Sequence, residues 1–472
     1  MELLMARRHV HSDDIRDLFS RAMSDMYRAE VPQYGMLLEL VADVNTEALR
    51  ADSNMRAKLE RSGEIDRLSI ERHGAIRLGT AQEVVDIRRV FAVMGMYPVR
   101  YYDLSMAGVP VHSTAFRPIA EEALRRNPFR VFTSLLRPDL IEDPALRTQA
   151  AAILARRRIF APHVLDLVRV FEAEGALTQQ EADEFVREAL ETFRWHSNAT
   201  VDLATYRALQ GAHRLIADIV SFKGPHINHL TPRTLDIDAV QAGMPRRGIA
   251  PKAVIEGRPR RNCPILLRQT SFKALEEPIV FRRGVDEGAA GTHTARFGEF
   301  EQRGAALTVK GRTLYDELLA SARRNVQTGT ADWNGPAYNA ELSARFQSFP
   351  DVWAELRSRR FSFFRYSASA AGLASSCRGA RAPTVDELIA SGFLKFDPIV
   401  YEDFLPVSAA GIFQSNLGNG EQKNYAERSN WAQFETALGA ELNDELELYA
   451  QAEIASLEQA LKQLGYAQLA SA

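Results

Sequence analysis

The spacing of apolar positions changes several times along the chain, and each change predicts a new element. Over residues 12–60 the spacing is helical. Leu18, Met23, Met26 and Tyr27 form one stripe, and Met36, Leu37, Leu40 and Val41 form another between Tyr34 and Leu49. Ser12, ahead of Asp13 and Asp14, is the expected helix cap. Over 66–79 the period drops to two, with Leu68, Ile70, Ile76 and Leu78 alternating around Gly74. A strand there puts His73, Ala75 and Arg77 on one face. Helical spacing returns from Glu83 to Met94 and stops at Gly95. Tyr97–Leu104 and the stretch from Gly108 through Phe116 read as strands, which completes a βαβββ-like unit.

Residues 119–222 read as a long helical block. Its expected helices are Glu121–Arg126, Pro144–Arg158, Ala161–Glu174, Gln179–Thr192 and Thr205–Phe222. Thr178-Gln179-Gln180-Glu181 is a capping-box pattern. Strand-like sequence resumes at Pro225. If Ile227–Thr231 is extended, His226 and His229 face opposite sides, and only one of them lines any site there. Pro232 marks a strand end near a cleft. A helix follows over 235–245, then strands at Ala253–Gly257, Cys263–Thr270 and Pro278–Arg282. A Gly-rich turn spans Gly288–Gly291. In a strand running from Arg296, the residues Phe297, Glu299, Glu301 and Arg303 share a face. Farther on, Tyr315–Arg324 is helical, 326–345 loop-rich, and 350–366 a core segment with Trp353, Phe361, Phe363, Phe364 and Tyr366. Ser367–Arg381 reads as a mobile loop and Leu394–Val407 as a strand. The small residues within Phe404–Phe413 allow close backbone approach to a ligand. Gly418–Gly420 is a turn, and 431–464 forms one or two amphipathic helices.

Composition narrows the function classes. A chain of 472 residues with 46% apolar and 25% charged positions is an ordinary globular composition, long enough for more than one core. A net charge of −3 gives no field for nucleic acid, and the short clusters Arg156–Arg158 and Arg258–Arg261 read as solvated. The two cysteines, Cys263 and Cys377, argue against a disulfide framework and a thiolate metal site. No signal-peptide pattern and no apolar run of about 18 residues appears, so a cytoplasmic protein with no membrane span is expected.

The candidate chemistry lies in three strand-like stretches. His73 sits in Arg72-His73-Gly74-Ala75-Ile76-Arg77, His226 and His229 in His226-Ile227-Asn228-His229-Leu230-Thr231-Pro232-Arg233, and two glutamates in Arg296-Phe297-Gly298-Glu299-Phe300-Glu301-Gln302-Arg303-Gly304. Two imidazoles and one carboxylate make a facial ligand set for Fe(II) with open positions left for substrate and oxygen. Arg77, four residues from His73 on the same face, suits an anionic substrate. His196 and His213, in the helical block, read as structural.

These three stretches, with Phe404–Phe413, resemble the 2-oxoadipate dioxygenase/decarboxylase family, also called D-2-hydroxyglutarate synthases of bacterial lysine catabolism. The third stretch is also similar to the 4-hydroxyphenylpyruvate dioxygenase motif, and the second to that enzyme's Asp-His-Leu-Thr strand. The resemblance selects His229 over His226 and Glu299 over Glu301, giving His73, His229 and Glu299 as metal ligands. The implied fold is α+β, a vicinal-oxygen-chelate-like βαβββ core around a metal with a large helical insertion and C-terminal helices. The implied units are 1–118, N-terminal helices and the first metal-site β unit; 119–222, the helical insertion; 223–430, the second β unit; and 431–472, a C-terminal helical segment. The implied activity is Fe(II)-dependent conversion of 2-oxoadipate and O2 to D-2-hydroxyglutarate and CO2. In it His73 and Arg77, with backbone groups near Val407 and Ser408, meet the substrate, and Arg77 takes its distal carboxylate. His226, Glu301 and Arg303 are candidates for orienting the ligands. The competing readings are a Zn(II) or Mn(II) hydrolase or isomerase of a small carboxylate on the same scaffold, and a non-enzymatic binding protein.

Overall fold

The computed structural model describes residues 9–105, 108–282, 290–294, 296–325, 335–374, 383–405 and 427–466. After a two-residue strand at His9–Val10 come three helices, Ser12–Glu30, Pro32–Ala51 and Ser53–Arg61. Their apolar stripes bury Phe19, Met23, Tyr27, Leu37 and Val41. The cap of the first is His11, not Ser12. Its ring nitrogen accepts the Asp13 N–H at 3.2 Å, so Ser12 is already helical.

The first sheet has five strands: β1 (Arg72–Leu78), β2 (Tyr97–Asp103), β3 (Val111–Arg117), β4 (Arg130–Leu136) and β5 (Leu230–Pro232). They lie in the order β2-β3-β4-β1-β5, and the helix Ala81–Val93 connects β1 to β2. β1 pairs in parallel with β4 and antiparallel with β5. β4 falls inside the stretch expected to be helical. It is a central strand with every residue buried, so Val131-Phe132-Thr133-Ser134-Leu135-Leu136 lacks the alternation that marks a half-solvated strand. The other helices of that stretch form at Glu121–Arg126, Pro144–Ala155, Pro162–Glu174 and Gln179–Glu191, the last with its capping box complete. The expected helix Thr205–Phe222 is two helices, Leu203–Ala212 and Arg214–Ser221. His213 breaks them with an extended backbone and caps the second by accepting the Leu215 N–H.

The second sheet is β6 (Glu256–Gly257), β7 (Leu267–Ser271) and β10 (Glu299–Arg303), antiparallel in the order β10-β7-β6. Between β7 and β10 the chain makes the hairpin β8 (Glu276–Val280) and β9 (Ala290–Thr294). The two sheets meet edge to edge. Arg233, just after β5, bridges Glu301 of β10, and the Thr234 N–H donates to the Glu301 carbonyl at 2.7 Å. Segments about seventy residues apart or more thereby become neighbours.

The remaining chain packs beside this pair of sheets. Val309–Asn325 and Gly335–Arg345 are helices, the latter where a loop was expected. The hairpin β11 (Phe364–Ala368) and β12 (Leu394–Pro398) follows. Ala370–Ala374 is helical rather than loop, and the strand expected over Leu394–Val407 ends at Pro398. The helices Glu427–Leu438 and Glu445–Gln463 close the chain, and the last buries Tyr449 and Leu461 against the core. Val407, Ser408 and the turn at Gly418–Gly420 lie outside the described residues. No helix among the described residues is long and apolar enough to cross a membrane.

Candidate metal centre

Three sheet segments converge at one buried point. β1 carries His73, the residue before β5 is His229, and β10 starts with Glu299. Close packing of β1 on the 227–229 segment depends on Gly74. A Cβ there would stand 2.9 Å from the His229 carbonyl oxygen and 2.6 Å from Ile227 Cδ1, so no larger residue fits without moving a ligand-bearing backbone. Tyr27 of the first helix bolts the other side. Its hydroxyl donates to the carbonyls of Asn228 at 3.0 Å and Phe297 at 2.8 Å, one residue before His229 and two before Glu299.

Ligand-type atoms of His73, His229 and Glu299 all lie within 4.8 Å of one another. Glu299 Oε2 is 3.3 Å from His73 Nε2 and 3.2 Å from His229 Nε2. Thr231 Oγ1 donates to the same oxygen at 3.1 Å, and Gln269 Nε2 donates to Oε1 at 2.9 Å. All three residues are fully buried. Phe404 stacks edge-on against His73 at 4.9 Å and Phe297 lies 4.9 Å from His229, which gives the site apolar walls.

The charge around this trio is arranged in layers. Burial, with His73, Arg77 and Lys252 adding, holds His229 far below the usual imidazole range, so it is neutral. Burial also opposes a charge on His73, but Glu301 and Glu299 outweigh it and raise that imidazole. Burial raises Glu299, against the pull of His73. Glu301 behaves differently. Burial pushes it up, yet Arg303 and His73 bring it down to about 2. Glu301 Oε2 stands 3.2 Å from His73 Nδ1, and Arg303 grips the carboxylate at 2.7 and 3.0 Å. Arg303 also donates to the carbonyls of Tyr401 and Asp403 at 2.7 and 3.1 Å.

The fit of a metal can be judged from these donors. Neither ring nitrogen of buried His229 has a hydrogen-bond partner among the described residues. An imidazole held neutral and left unpaired beside a carboxylate is costly as a purely structural element. It is the expected state of a ligand awaiting a cation. Two imidazoles and one carboxylate, with no thiolate, suit a divalent first-row metal with open positions.

The 2-oxoadipate dioxygenase/decarboxylase family model matches residues 19–416. The chain is 56% identical over 449 residues to the 2-oxoadipate dioxygenase/decarboxylase of Pseudomonas putida, covering 95% of this chain and 96% of that one. This chain belongs to the 2-oxoadipate dioxygenase/decarboxylase family. The Escherichia coli member is likewise 56% identical, over 94% of this chain and 97% of its own. The solved hydroxyglutarate synthase from P. putida in complex with 2-oxoadipate superimposes with a TM-score of 0.90 at 54% identity, covering 98% of this chain and all of that one. As a member of this enzyme family, the chain has an α+β fold, and the trio is its candidate metal site.

Other residues singled out in the sequence are distributed around the trio. Glu301 and Arg303 back His73, as their strand face suggested. His226 is not at the trio. It lies 3.4 Å from Asp218, and burial outweighs that carboxylate and lowers the imidazole to about 3. Arg77 is buried and its Nη1 donates to Asp218 Oδ2 at 2.5 Å. Sequence reasoning missed Asp218, Lys252, Thr231, Gln269 and Tyr27. Thr231 was detectable, because it lies two residues from His229. Gln269 lies in a strand that is mostly polar, Leu267-Arg268-Gln269-Thr270-Ser271, so its type alone did not set it apart. Asp218 and Tyr27 sit on helices, where apolar spacing marks only the buried face, and no local pattern points from either to a site.

Proposed function

We propose that this chain is an Fe(II)-dependent oxygenase that converts 2-oxoadipate and O2 to D-2-hydroxyglutarate and CO2, a step of lysine breakdown. Atoms balance: the six-carbon diacid loses one carbon as CO2 and gains one hydroxyl oxygen, and both oxygen atoms of O2 enter the products. The observation that carries the reading is the buried trio His73, His229 and Glu299, with the His229 nitrogens unpartnered. Its relatives' names and the 2-oxoadipate in the P. putida structure support the substrate. Bound Fe(II) would supply electrons for dioxygen and hold the 2-oxo acid by its carboxylate and keto oxygen.

The protein's part is positioning. Glu301 Oε2, 3.2 Å from His73 Nδ1, favours the proton on that nitrogen and so leaves the Nε2 lone pair for the cation. Thr231 and Gln269 fix both oxygens of Glu299, so the carboxylate does not swing away from the imidazoles. Phe404 and Phe297 keep water from the reacting region. Arg77 takes the distal carboxylate of the substrate. The β1–β4 order with its connecting helix reads as a vicinal-oxygen-chelate-like βαβββ unit, which the segment after 223 completes with a second, less regular one.

The test uses protein stripped of metal and reloaded anaerobically with Fe(II). On 2-oxoadipate it should consume about one O2 per CO2 released and form hydroxyglutarate. Turnover with Zn(II) or Mn(II) in the absence of O2 would replace this reading with a hydrolase or isomerase.

A further inference from the structure

The helix Arg214–Ser221 brings one carboxylate to the site from the helical part of the chain. Asp218 is 5% exposed and sits where three segments meet. Its Oδ2 accepts Arg77 Nη1 at 2.5 Å. Its Oδ1 takes the His293 Nε2 proton at 2.8 Å and lies 3.4 Å from His226 Nε2. Behind it, Tyr206 Oη is 2.8 Å from His293 Nδ1. A tyrosine hydroxyl donating to Nδ1 leaves the His293 proton on Nε2, facing Asp218. Donation thus runs from Tyr206 through His293 to one oxygen of Asp218, and from Arg77 to the other, so the carboxylate accepts on both sides. Asn228, one residue before the ligand His229, joins it. With its amide turned to satisfy both atoms, it accepts from Arg77 Nη1 at 3.0 Å and from His226 Nε2 at 3.2 Å, and donates to the Ala75 carbonyl at 3.2 Å.

Arg77 Nη1 is therefore held from two sides by groups that are themselves fixed. A guanidinium is planar, so fixing one nitrogen from two directions fixes the plane of the whole fork. Asp218 also offsets the charge of Arg77, a cation that would be expensive to bury alone. A purely structural ion pair would need neither the imidazole and tyrosine behind Asp218 nor a place four residues along β1 from His73. We propose that Asp218 is a positioning residue for Arg77, setting the guanidinium so that the distal carboxylate of a dicarboxylic 2-oxo acid is met in one register. The selectivity of the enzyme for dicarboxylic over monocarboxylic 2-oxo acids then depends on a residue supplied by the helical block. This rests on the reading that Arg77 binds that carboxylate.

The experiment compares wild type, Arg77→Ala and Asp218→Asn, each loaded with Fe(II). It measures kcat and KM for 2-oxoadipate and for 2-oxohexanoate, which lacks the distal carboxylate. Anaerobic calorimetric Kd, iron content and thermal unfolding accompany the kinetics. Asp218→Asn should bind stoichiometric iron and lose about tenfold to a hundredfold of the preference for 2-oxoadipate, mainly through KM and Kd. Equal losses on both substrates, or an unchanged preference, overturn the proposal provided Arg77→Ala loses the preference. If Arg77→Ala keeps it, the Arg77 reading itself is what fails. Should Asp218→Asn not fold, His293→Gln decides in its place: a reduced preference supports the proposal, and a retained one overturns it.

Discussion

At Glu299 two imidazoles, a threonine hydroxyl and a glutamine amide converge on two buried carboxylate oxygens. Two residues along the strand, Glu301 faces an arginine fork instead. The two glutamates share a strand face and differ in what surrounds them, so they separate under mutation. Glu299→Ala should lose stoichiometric iron, read by metal analysis after gel filtration. Glu301→Gln should still bind iron, but about 10- to 100-fold more weakly, because the imidazole behind it is no longer oriented by a charged acceptor. The reverse pattern, with Glu301→Gln losing all iron and Glu299→Ala keeping it, would exchange their roles. The alternation Phe297, Glu299, Glu301, Arg303 was legible in the sequence because side-chain direction in a strand follows from covalent geometry. Alternation alone left both glutamates open, and only the motif resemblance favoured Glu299, since which one meets the histidines depends on residues brought in from β1 and β5.

At the scale of elements, the site depends on strands held in register by a helix that contributes no ligand. Tyr27 donates to two carbonyls, of Asn228 and Phe297, across the seam between the sheets. Tyr27→Phe leaves both acceptors with one fewer donor in a dry interior. The expected cost is about 1–3 kcal/mol of stability by chemical denaturation. Weaker iron binding should accompany it, because the two carbonyls lie within two residues of His229 and Glu299. Wild-type iron affinity at reduced stability would confine Tyr27 to the fold. Helices with solvated faces were readable from their spacing, since one side must remain polar. β4 was not, because a strand buried on both faces has no polar side to mark its period. His213 broke an expected helix for a similar reason: a side-chain cap competes with helix continuation, and apolar spacing alone does not register it.

At the scale of the molecule, buried histidines outside the trio tie stability to pH. His112 is 2% exposed, and burial, with Arg137 adding, lowers its pKa to about 4. In the unfolded chain it titrates near the ordinary value, so between pH about 6.5 and about 4 the unfolded state binds a proton that the native state refuses. Native stability should therefore fall as the pH drops through that window, by up to about 3 kcal/mol from this residue. His112→Gln should flatten the dependence of the urea midpoint on pH over the same range, and an unchanged slope would show that other groups set it. The larger division runs along the same line of locality. The sequence by itself determined the helical stripes, the βαβββ-like opening, the candidate residues and, through motif resemblance, the family, because propensity, periodicity and short motifs are written in neighbouring residues. Only the tertiary structure decided that β1, β5 and β10 meet, that Gly74 lets them meet closely, and that Asp218 and Tyr27 reach the centre from helices. Those contacts join residues from 68 to 270 positions apart. No local pattern encodes the packing that selects them.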